Sequence, residues 1–140
     1  MITELKVLIA VLLTLIMVAL TFAVRADEPL WKGLIGEAVG EGEQGMYAVA
    51  CCVRNRINSG LDNGLVALKR KDLDAFVGRQ GIAAANMAKQ IVQKVFVEGA
   101  VDITNGATHY ENIKQYGLPK WARNMRVCAR IGNHTFMKAK

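Results

Sequence analysis

The chain has 140 residues, with 18 basic and 12 acidic side chains and a formal net charge of +6, so it holds one domain at most. Its three cysteines are too few for a disulfide framework, and the absence of any CxxC pair or Cys/His ligand spacing excludes a zinc site. The basic balance suits a polyanionic partner, but there is no aromatic-basic pattern for stacking bases, and nucleic acid is not expected.

In chain order, the first feature is Val7 to Val24, eighteen residues without a charge. As a helix this run is roughly 27 Å long, close to the thickness of a bilayer core. Lys6 precedes it, and Val24-Arg25-Ala26 resembles an export cleavage site with Asp27 as the first mature residue. The run reads either as a cleaved signal peptide or as an uncleaved signal-anchor holding the chain to the membrane through residues 7–24. Residues 1–26 are therefore set apart from a domain at 27–140, exported to a periplasmic, cell-wall or membrane-anchored location. Without Lys6, Arg25 and Glu4, that domain carries 16 basic and 11 acidic residues. Its size closes a single modest core.

Leu30 to Val39 reads as a short helix ending at Gly40. The stretch Gly36 to Gly45 sets Glu37, Glu41 and Glu43 among four glycines, where the backbone bends freely and a ligand can approach. A second helix starts at Glu43, with Met46, Val49, Ala50, Val53 and Ile57 at helical spacing. Ala48, Cys51 and Cys52 make its other sides apolar, so it is a central, buried helix. Basic residues and Gly60 stop it. Leu61 to Gly81 reads as a polar connection holding Lys69-Arg70-Lys71. A third helix carries Ala84, Ala88, Ile91, Val92, Val95 and Phe96 on one stripe and closes at Gly99. Asp102 to Gly106 is turn chemistry. Ala107 to Asn112 is extended, Pro119 to Ala122 opens a short helix or turn, and Ile131 to Phe136 is a second extended piece. An oxidising compartment permits one bridge from Cys128 to Cys51 or Cys52; otherwise the thiols are small buried hydrophobes. The fold class is α+β, mainly helical, with a small β element and an apolar helix in front.

Ser59 is the only serine, at a helix end, and neither G-x-S-x-G nor HExxH is present. What remains is carboxylate chemistry or a polar binding groove, with no metal or cofactor implied. A carboxylate that donates a proton near neutral pH needs an apolar setting. Glu37, at a helix end beside a buried helix, is best placed for one. Glu41 lies in the wetter glycine turn, and Glu43 suits the first turn of a helix, where the dipole favours an acid.

The pattern Glu37-Ala38-x-Gly40-Glu41, continued by Gly45, Ala48-Val49-Ala50, Val53 and Asn55-Arg56, resembles the opening signature of the cell wall hydrolase family typified by the spore cortex-lytic enzyme SleB. Asp102-x-Thr104-x-Gly106-Ala107-x-x-Tyr110-x-Asn112 and Ile131-Gly132-Asn133-His134-x-Phe136 are similar to two later blocks of that family, in the same order. The resemblance implies a lysozyme-like domain that cleaves the glycan strands of peptidoglycan, with Glu37 as the catalytic glutamate. It implies a lytic transglycosylase: one glutamate suffices when the sugar's own hydroxyl attacks, whereas attack by water wants a second carboxylate, for which Glu41 is nearest. Tyr110, Asn112, Asn133 and His134 are then groove residues that hydrogen-bond the sugars, or, for Asn133 and His134, groups that satisfy the backbone where the extended segments meet. Asn55 and Arg56 are expected to tie the helix end to the β element. Relatives carry a more apolar segment where this chain has the lysine-rich Asn58 to Gly81. Two other readings stand beside the enzyme: a catalytically silent, membrane-anchored peptidoglycan-binding module, and a phage-type lysis enzyme held inactive by its apolar N-terminus.

Overall fold

The computed structural model describes residues 1–17 and 30–140. Of the apolar run, residues 18–24 lie outside the described residues, as does the cleavage-site pattern at 24–27. Among the described residues no helix is long and apolar enough to cross a membrane. The described side chains at the start of the run, Val7 to Met17, are exposed.

Helix α1 (Ile2–Ala38) gives way to a 3-10 turn at Val39–Glu41, which leads into α2 (Gly42–Asn58). Gly42, at φ +71°, takes a conformation that a Cβ would penalise, which lets the two helices meet at a sharp corner. Helix α2 is the centre of the molecule. Met46 and every residue from Ala48 to Val53 are at most 1% exposed. A helix apolar on all sides must be enclosed, and α2 packs against α1, against α4 (Ile82–Val92) and against the sheet. Leu34 and Ile35 of α1 and Ala88, Ile91 and Val92 of α4 complete the core with Val95 and Phe136. Past Val92 the chain widens into a π-turn, Gln93–Val97, in which Glu98 N–H donates to Gln93 O at 3.0 Å.

The connection expected at Leu61–Gly81 is more structured than its polarity suggests. It contains a 3-10 turn, Val66–Lys69, and a two-turn helix, α3 (Leu73–Gln80). Leu73 and Val77, four apart, are the buried residues of α3, and two apolar positions are too few to stand out as a periodic stripe.

The sheet has three antiparallel strands in the order β1-β3-β2, formed by β1 (His109–Glu111), β2 (Met125–Ile131) and β3 (His134–Ala139). The extended piece expected at Ile131–Phe136 is in fact a hairpin corner. Ile131 pairs with His134 around Gly132-Asn133, and Gly132 at φ +59° supplies the positive φ that two-residue hairpin turns require. A bulge between Val127 and Ala129 shifts the register. The middle strand β3 is covered on both faces from His134 to Met137, so it lacks the alternation that marks a half-exposed strand. A one-turn helix, α5 (Ile113–Tyr116), and a 3-10 turn, Lys120–Asn124, join β1 to β2.

Asn55 and Arg56 tie α2 to the sheet as expected. Asn55 Nδ2 donates to Asp102 Oδ2 at 3.0 Å and to Ala107 O at 2.9 Å. Arg56 Nη1 donates to Thr108 O at 2.8 Å, and its Nη2 pairs with Asp62 at 2.7 Å. Asp102 gathers its own turn by accepting from Thr104 N, Thr104 Oγ1 and Gly106 N. All three cysteines are free. Burial pushes the Cys52 thiol up to about 12 and raises that of Cys51.

Candidate active site

Where α1 ends against α2 and the 3-10 turn Val66–Lys69, its last turn faces a groove of about 900 Å³. One wall is the segment from Asp62 to Lys69. The other is β1, α5 and Trp121. Glu37 and His134 complete the lining.

Glu37 is half-buried, and its Oε1 accepts a hydrogen bond from Ala67 N at 2.8 Å. That contact needs the 3-10 turn to lie directly on α1, and Gly36 permits it: a Cβ there would stand 2.5 Å from Ala67 Cβ. Tyr110 approaches from β1. Burial pushes its phenol far above the ordinary range, and the Glu37 carboxylate beside its hydroxyl adds to the rise. The Ala67 amide therefore fixes one oxygen of the Glu37 carboxyl, with the Tyr110 phenol close by.

Glu41 is bound differently. Asn133 donates to it twice, from the backbone N to Oε2 at 2.9 Å and from Nδ2 to Oε1 at 3.2 Å. The backbone hydrogen bond is the main reason that its carboxyl sits below the usual carboxylate range. Glu41 thus clamps the 3-10 turn to the hairpin tip, and a Cβ on Gly132 would collide with its carboxylate.

His134 follows that tip directly. It is 9% exposed, its edge meets the Tyr110 ring at 5.2 Å, and its Nδ1 is buried without a hydrogen-bond partner. Asn112 lines the groove and caps α5, its Oδ1 accepting from Gln115 N at 3.1 Å.

Of the six residues singled out from the sequence, the groove gathers Glu37, Glu41, Tyr110, Asn112 and His134. Asn133 is exposed and turned toward Glu41 instead. The sequence gives no sign of the Ala67 amide, and the exposed rings of Tyr116 and Trp121 also join the groove, as does His109. No pattern signals a backbone amide donating to a carboxylate thirty residues away, whereas the Pro119-Lys120-Trp121 turn did carry a readable aromatic residue. Among the described residues, no three His, Cys, Asp or Glu side chains stand together as a metal site.

The chain resembles the catalytic domain of the germination-specific lytic transglycosylase SleB from Bacillus anthracis. The two share 26% identity and a TM-score of 0.56, over 80% of this chain and 93% of that one. No curated protein matches. The family model for cell wall hydrolases matches residues 40–137, from the glycine corner through both walls of the groove to β3. That match spans well over half the chain and takes in Glu41, Tyr110, Asn112 and His134, so the chain belongs to the cell wall hydrolase family.

Proposed function

We propose that the protein is a lytic transglycosylase that cleaves peptidoglycan between N-acetylmuramic acid and N-acetylglucosamine, with Glu37 as its single acid and base. The observation that carries this reading is the unequal state of two carboxylates on one groove. Glu37 lines the groove with one oxygen held by the Ala67 amide, while both oxygens of Glu41 are engaged by Asn133. A hydrolase that activates water needs a second carboxylate free to act as base or nucleophile. A transglycosylase needs only one.

In the proposed reaction, protonated Glu37 gives its proton to the glycosidic oxygen as the C1–O bond breaks. The resulting Glu37 carboxylate then takes the proton of the sugar's C6 hydroxyl, whose oxygen closes on C1 to form a 1,6-anhydro ring. The proton lost in the first step is recovered in the second, so the enzyme returns to its starting state. Tyr110 keeps the carboxyl in place through both steps, and Asn112 and His134 hydrogen-bond the sugars and their acetamido groups. Glu41 and Asn133 hold the hairpin that carries His134. The domain at 27–140 acts outside the membrane, with residues 7–24 as its leader or anchor; their lack of charge and the exposure of Val7 to Met17 support this.

Mass spectrometry of digested, purified sacculi tests the reading. Anhydro ends are lighter than hydrolysed ends by one water. Glu37→Gln should lower fragment release by about 10²–10⁴-fold, the usual worth of a positioned general acid, with the far-UV spectrum unchanged. Full activity in that variant removes Glu37 from the mechanism. Wild-type protein that sediments with sacculi yet releases no fragments is the binding module instead.

A further inference from the structure

The groove wall opposite Asp62–Lys69 carries exposed rings that the reaction above does not use. Trp121 is 45% exposed and Tyr116 71% exposed, and both line the groove. The Trp121 ring packs against His109, with centroids 5.4 Å apart and planes tilted by 39°. Its place in the chain is secured by its neighbour Ala122, which is 4% exposed and anchors the 3-10 turn. What sets these two rings apart from singly exposed surface residues is that both line the same groove as Glu37. Burial, and then the Arg56 charge, lower the His109 imidazole below its ordinary value, so Trp121 rests on a neutral ring at pH 7.

We infer that Trp121, backed by His109 and flanked by Tyr116, is a stacking subsite for a pyranose ring of the glycan strand, set to one side of the cleavage point. A pyranose has one face of C–H bonds with hydroxyls at its rim. The negative face of an indole attracts those C–H groups, while Gln115 and Asn112, hydrogen-bonded to each other on the same groove, keep amide hydrogens for the rim. The subsite grips the strand by its sugar backbone, without regard to the peptide stems. This inference rests on the glycan-cleaving reading.

The test reads binding apart from chemistry. Trp31 and Trp121 are the two tryptophans of the chain, so a Trp31→Phe, Glu37→Gln protein reports on Trp121 alone. Titration with soluble glycan strands stripped of their peptides is expected to shift and quench its emission. In the Glu37→Gln background, calorimetry is expected to give about tenfold weaker binding for Trp121→Ala, and within roughly threefold of the parent for Trp121→Phe. Far-UV spectra of both variants control for folding. In the active protein, Trp121→Ala should raise KM with little change in kcat. Unmoved Trp121 emission on titration with the strands, or strand binding by Trp121→Ala as tight as that of the parent, overturns the subsite even if sacculi are cleaved. Conversely, wild-type protein that binds strands through Trp121 and cleaves nothing leaves the subsite standing and removes the enzymatic reading.

Discussion

Replacing Asn55 by alanine tests how α2 positions β1. The Asn55 amide donates to the Ala107 carbonyl at 2.9 Å and to Asp102 Oδ2 at 3.0 Å. Ala107 is fully buried, so its carbonyl has no water to turn to and bears the desolvation penalty of an unmade bond, about 1–3 kcal/mol. Asp102 loses less, because Thr104 and Gly106 still donate to it; a further contribution of about 0.5–1.5 kcal/mol is reasonable for one partially exposed bond. The expected loss is roughly 1.5–4.5 kcal/mol, a large share of the 5–15 kcal/mol that holds a domain of this size together. It corresponds to a fall in Tm on the order of 10 °C. Urea unfolding followed by circular dichroism reads it as a lower midpoint with unchanged slope. Asn55→Asp keeps the size but removes the donor and sets a second carboxylate against Asp102, so it should be worse than alanine. Since the same turn leads into β1 and Tyr110, both variants should also release fewer fragments from sacculi. An Asn55→Ala midpoint equal to that of wild type refutes the tie between α2 and the sheet.

Other consequences follow from the same geometry. Glu41 has a folded pKa below its ordinary 4.5; its contribution to stability is therefore full above about 4.5 and lost as the pH falls through the lowered folded value. The stability difference between wild type and Glu41→Gln, from urea midpoints at a series of pH values, should shrink across that acid window and be flat from pH 6 to 8. Gly36→Ala drives a methyl group into Ala67 and should cost about 1–3 kcal/mol while reducing kcat, because the amide on Glu37 moves with the 3-10 turn; an unchanged thermal midpoint would contradict that packing. Cys51 and Cys52 are buried with raised thiols, whereas Cys128 is partly exposed. Titration of the folded protein with a thiol reagent at pH 8 should label Cys128 alone, and Cys51 and Cys52 only after denaturant is added.

Much of the local structure was legible along the chain. The spacing of Met46, Val49, Ala50 and Val53 specifies α2 because a helix repeats every 3.6 residues whatever it packs against. The turn at Asn105-Gly106 was equally plain, since positive φ falls on the residues that tolerate it best. Glu37 stood out for the same local reason, as a carboxylate at a helix end beside a glycine corner. Helix α3 and the hairpin β2–β3 were not legible. The first shows only two buried residues, and the second is buried on both faces of its inner strand, so neither leaves a clean period.

The sequence by itself therefore determined the central helix, the glycine corner and the carboxylate at its edge, all of which depend on neighbours a few residues apart. Tertiary structure alone decided how the carboxylates divide. The Ala67 amide reaches Glu37 across 30 residues, and Asn133 reaches Glu41 across 92. Contacts so distant in sequence leave no periodic trace, because they arise only when Gly36 lets the 3-10 turn settle on α1 and Gly132 lets the hairpin tip close on Glu41.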